Sequence, residues 1–93
     1  MTVFTWLNKQ GVKSDTGFSV QFTGRFTCEY SEGKRTLKFE VENGYDKGKP
    51  CTVTRRTSFF LWDGEKLTLE RQQEIINNIE AAMDFQGLKL IVD

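Results

Sequence analysis

From Phe18 to Tyr30 the chain alternates without a break. Phe18, Val20, Phe22, Gly24, Phe26, Cys28 and Tyr30 hold one phase, and Ser19, Gln21, Thr23, Arg25, Thr27 and Glu29 hold the other. Only extended backbone sends residues i and i+2 to the same side, so this stretch is β-structure with one apolar and one polar face. The phase passes through Thr23-Gly24 without slipping. That favours one long strand bent at Gly24, where glycine permits a kink or bulge; a hairpin at that point is the alternative.

The remaining elements follow from turn and cap chemistry. Glu32-Gly33 reads as a two-residue hairpin loop, and pairing outward from it sets Cys28 opposite Leu37, Phe26 opposite Phe39 and Gly24 opposite Val41. Residues 43–50 read as a polar connection, after which Cys51 to Phe60 has the threonine and aromatic content of a third long strand ending near Trp62-Asp63-Gly64. Upstream, residues 5–10 fit a short helix with Thr5 as N-cap and Gly11 as its stop, or a short first strand. Thr68 is a good N-cap for a helix whose apolar stripe is Leu69, Gln72, Ile75, Ile76, Ile79, Ala82, Met83 and Gln86, closed by Gly87. Leu88 to Val92 then predicts a last strand pairing at a sheet edge. The expected fold is α+β: a twisted antiparallel sheet packed on one C-terminal amphipathic helix, with a short final strand.

The 93 residues suffice for one domain, 1–93, and eight phenylalanines give it a dense core. No apolar run approaches the ~20 residues that cross a bilayer, and the start Met1-Thr2-Val3-Phe4 lacks the charged-then-apolar order of a secretion signal, so a cytoplasmic protein is expected. In that compartment Cys28 and Cys51 are expected as free thiols. The 13 basic and 13 acidic residues cancel, but unevenly: residues 1–62 carry a net +4 and residues 63–93 a net −4. A dipolar chain of this kind is a poor general nucleic-acid binder.

Catalysis near neutral pH most often uses histidine, and the chain has none. Cys28 lies in the apolar phase of a strand, where a thiol is inert, and Cys51 has no activating neighbour in sequence. Two distant cysteines without histidine cannot hold zinc, and the single carboxylate of Asp46 beside Lys47 and Lys49 is no calcium loop. A non-enzyme without metal or cofactor is expected. Arg55 and Arg56, adjacent on a strand, would point to opposite faces and form no single basic patch.

The helix has one further property. Glu70, Glu74, Glu80 and Asp84, with Asn77 among them, fall in an arc of about 120° opposite the apolar stripe. Glu70 with Glu74, and Glu80 with Asp84, repel at a spacing of four residues, costing a few tenths of a kcal/mol per pair, so helix stability did not select them. A solvated face is the plain explanation; steering of a basic partner is the functional one. Trp62 or Tyr45 could anchor such a partner at the margin of the acidic face, although a large ring at a strand end, as Trp62 is, more often caps the core below the helix.

Trp62-Asp63, the stretch from Arg71 through Gly87-Leu88, Gly17-Phe18, Gly24-Arg25 and Tyr30-Ser31-Glu32-Gly33-Lys34-Arg35 together resemble a group of bacterial immunity proteins, over residues 17–92. These are small β-rich proteins encoded beside polymorphic toxins. The resemblance implies an inhibitor that binds one toxin's effector domain and blocks it, with that toxin as its protein partner. It brings no functional residues with it, so the binding surface rests on the acidic face. The alternative is a small nucleic-acid-binding sheet using the basic first 62 residues and stacking on Phe59, Phe60 and Trp62.

Overall fold

The computed structural model describes residues 2–93, and it is α+β as expected: a curled sheet wrapped on one helix. The sheet order is β1 (Phe4–Asn8), β2 (Gly11–Ser14), β3 (Phe18–Gly24), β4 (Thr27–Glu32), β5 (Arg35–Asp46), β6 (Lys49–Thr54), β9 (Lys89–Val92). A 3₁₀ turn (Arg56–Phe59), the small hairpin β7 (Leu61–Trp62) and β8 (Glu65–Lys66), and helix α1 (Leu69–Phe85) lie between β6 and β9. No helix among the described residues is long and apolar enough to cross a membrane.

The alternating stretch is a hairpin, not one bent strand. β3 and β4 turn through Arg25-Phe26, and Phe22 lies opposite Cys28. Residues paired across a ladder share a face, so with this register even-numbered residues face even-numbered ones on both arms. The phase survives the turn, and periodicity therefore cannot reveal it. Gly24 is where the ladder slips, and a Cβ there would come within 2.7 Å of Thr27 Oγ1.

The next hairpin turns at Gly33-Lys34, with Glu32 opposite Arg35, so Cys28 faces Phe39 rather than Leu37. The displacement is two residues, which changes partners but not faces. Phe26 and Gly24 consequently lose the partners Phe39 and Val41, and Phe26 stands exposed at the β3–β4 turn. Residues 43–50 are no connection: β5 continues to Asp46 and pairs β6 around the tight turn Lys47-Gly48. Both turn residues have positive φ, 52° and 85°, the conformation that matches the twist of the flanking strands.

At the N-terminus the strand alternative holds. Trp6 pairs with Val12 in β1–β2, and Gly11 opens β2 instead of stopping a helix. Glycine is needed at that position because a Cβ would sit 2.8 Å from that of Gln21 on β3. The third long strand is shorter than expected. β6 ends at Thr54, whose hydroxyl donates to the Glu40 carbonyl (2.8 Å), and the chain turns into the 3₁₀ segment. Arg56 begins that segment, so Arg55 and Arg56 are not strand neighbours.

The final strand does close the sheet edge, but it runs parallel to β6, so the sheet is not wholly antiparallel. Thr68 caps α1 by accepting the Arg71 N–H at 3.1 Å. Gln72, Ile75, Ile76, Ile79, Ala82 and Met83 are buried as the stripe predicts. Leu69 is not; it is 78% exposed at the first turn of the helix. The helix meets one cross-strand row, Val12, Val20, Tyr30 and Leu37, completed by Phe39, Val41, Phe59, Trp62 and Leu90. Cys28 and Cys51 are both free and buried. Burial pushes the Cys28 thiol up to about 12, so it stays protonated and inert.

Candidate interaction surface

The helix has two flanks, and its charged residues behave differently on each. On the flank above β3 and β4, Arg71 donates to Glu32 and to Glu74, and Tyr30 donates its hydroxyl hydrogen to the other Glu32 oxygen. Asn78 donates to the Tyr30 oxygen at 2.9 Å. The Trp62 ring lies beneath, with the Arg35 guanidinium 4.3 Å and that of Arg71 5.9 Å from its centroid, and Arg35 also pairs with Asp63 at 3.4 Å.

Burial pushes the Glu32 carboxyl up, but the hydrogen bonds from Arg71 and Tyr30, with the charges of Arg71 and Arg35, outweigh it and hold it below its ordinary value. The Tyr30 hydroxyl is driven upward, first by burial and then by its bond to Glu32. This cluster was not legible beforehand, because it joins residues about forty positions apart in sequence. Its chemistry is that of a clasp between sheet and helix, with every charge matched.

The opposite flank overlooks β6 and β9. There an open groove of about 750 Å³ runs between the helix and the sheet edge, lined by Asn77, Glu80 and Asp84 from α1 and by Lys49, Pro50 and Lys89 from the strands. Lys89 is committed to Asp46, with nitrogen and oxygen 2.6 Å apart, and this hydrogen bond raises the ammonium pKa. Among the described residues no lysine or arginine forms an ion pair with Glu80 or Asp84. Both carboxylates are exposed on the helix surface, four residues apart.

The predicted acidic stripe is thus divided. Glu70, Glu74, Glu80 and Asp84 are all exposed, but Glu74 is held by Arg71 on the first flank, while Glu80 and Asp84 enter the groove. Tyr45 stands exposed, at 79%, and pairs across the ladder with Pro50 of the groove wall, but it does not itself line the groove. Trp62 is 1% exposed and packs edge-on against Tyr30, so its ring is core and unavailable as an anchor. Phe59 is likewise fully buried, which leaves only Phe60 of the three aromatic residues considered for base stacking at the surface.

No protein-family model, curated protein or solved structure matches the chain. The groove therefore has to be understood from its own chemistry. Glu80, Asp84 and the amide of Asn77 make the helix side of the groove a surface suited to a cationic protein segment, while Lys49 and Lys89 line its sheet side. Lys49 and Lys89 on the sheet side were missed as groove residues, because the parallel pairing of β9 on β6 that forms this edge is long-range.

Proposed function

We propose that this chain is an immunity-type inhibitor, a cytoplasmic protein that binds the effector domain of one toxin encoded beside it and blocks that domain without any catalytic step of its own. The observation that carries the reading is the pair Glu80 and Asp84, exposed on the helix wall of a groove and, among the described residues, in no ion pair, whereas Glu32 and Glu74 are both held by Arg71. Unpaired charge on a rigid helix costs little in water and speeds encounter with a surface of opposite sign. Tyr45 adds an amphipathic ring of the kind that dominates binding energy at the centre of interfaces.

Titration of the purified neighbouring toxin domain with this protein tests the reading. Loss of toxin activity at one equivalent, with a complex that survives gel filtration, is the expected result. A toxin that stays fully active and does not bind overturns it.

A further inference from the structure

The sheet has a second distinctive edge, at β1. Asp15 donates its N–H to the Val3 carbonyl (2.9 Å), and the Asp15 carboxylate accepts the Val3 N–H (3.0 Å), so Val3 turns its polar groups toward β2. Antiparallel pairing alternates these directions, so the N–H and C=O groups of Phe4 and Trp6 point to the open side, where β1 has no neighbouring strand among the described residues. Exposed edges are ordinarily blunted by lysine, proline, inward charge or a bulge; Phe4-Thr5-Trp6-Leu7-Asn8 carries none of the first three, and its one register shift lies past Trp6, before Asn8. Its side chains are apolar at the surface: Trp6 is 51% and Leu7 46% exposed. Phe85, at the C-terminal end of α1 and 44% exposed, meets Trp6 with ring centroids 5.7 Å apart and Phe4 at 5.4 Å.

The ends of this strand carry opposite charges. Asp15 is exposed beside Val3 at one end, Lys9 is exposed at the other, and neither is in an ion pair among the described residues. The geometry points to a second copy of this chain as the occupant, paired antiparallel, β1 to β1, about a two-fold axis at Trp6. In that register the outward N–H and C=O groups of the two Trp6 residues bond each other, and Phe4 lies beside the Leu7-Asn8 end of the copy, where the register of β1 shifts. The two Trp6 and two Phe85 rings join on the helix side. Beyond the strand ends, Val3 falls beside the Lys9 turn of the copy, so each Lys9 side chain comes toward the other chain's Asp15, and the interface is complementary to itself at both ends. The acidic groove lies on the other flank of α1 and stays open.

Light scattering after gel filtration, at protein concentrations on the order of 100 μM, tests the pairing. The native chain is expected at twice the single-chain mass. Trp6→Lys sets like charges at the axis and is expected to weaken self-association at least about thirtyfold, with unchanged circular dichroism because Trp6 is half-exposed. Lys9→Glu is expected to weaken it and Lys9→Glu with Asp15→Lys to restore it. A single-chain mass for the native protein, a two-chain mass that Trp6→Lys leaves intact, or failure of the charge exchange to restore pairing overturns the inference.

Discussion

Helix α1 carries acidic residues on both of its flanks, and the sheet treats them in opposite ways. Toward β3 and β4, Glu74 and the facing Glu32 share Arg71, Tyr30 donates to Glu32, and the arginine cations stack over Trp62. Toward β6 and β9, Glu80 and Asp84 line a groove shared with Lys49 and Lys89, yet Lys89 pairs with Asp46 and, among the described residues, no ion pair joins either helix carboxylate to a cation. Charge on the first flank ties helix to sheet. Charge on the second contributes nothing that the fold requires, and the mutual repulsion of Glu80 and Asp84 at a spacing of four residues works slightly against it. Residues of one chemical type on one helix therefore separate into structural and available sets by what the strands beneath them supply.

The largest effect that would break this contrast lies under the matched flank. Trp62→Ala removes a fully buried ring and the surface on which Arg35 and Arg71 rest, and should cost about 3–5 kcal/mol in urea unfolding. A loss below about 1 kcal/mol would mean that the clasp is not built on that ring. Arg71→Leu comes next. It leaves Glu32 half-enclosed without its cation, and about 1–2 kcal/mol should disappear, less than for a fully buried pair because both partners retain some exposure.

The same pair makes stability depend on pH with a definite sign. The folded Glu32 carboxyl lies below its ordinary value of 4.5, so its contribution is fully present above that value and is lost as pH falls through the lower folded one. Unfolding followed from pH 7 to pH 3 should show this loss, and Arg71→Leu should flatten it. The smallest effect belongs to the other flank: Glu80→Gln with Asp84→Asn should change unfolding free energy by less than about 0.5 kcal/mol, with a slight gain if anything.

Much of the groove's helix side was legible in the sequence, because Glu80 and Asp84 follow from counting 100° per residue from a well-marked N-cap. Tyr45 was legible as a candidate anchor, although it belongs to a strand and not to a connection, since Lys47-Gly48 makes a tighter turn than the polar run implies. Trp62 could be a partner anchor or a ring capping the core below the helix, since a ring just before a turn can face either way, and its burial against Tyr30 decides for the core. The hairpin at Arg25-Phe26 stayed hidden for a geometric reason: even-to-even pairing leaves the apolar phase unbroken. Arg71 gave no signal at all. Its sheet partner Glu32 lies in a hairpin 39 residues upstream, and local periodicity carries no information at that distance.

The claim that the unmatched flank is the binding surface is tested most directly by calorimetric titration of the neighbouring toxin domain with the native protein and with the Glu80→Gln/Asp84→Asn variant, each at low and at high salt. The account predicts that the variant keeps the native unfolding profile, binds at least about tenfold more weakly at low salt, and loses most of the salt dependence shown by the native protein. Equal affinity and equal salt dependence for the two proteins would contradict it.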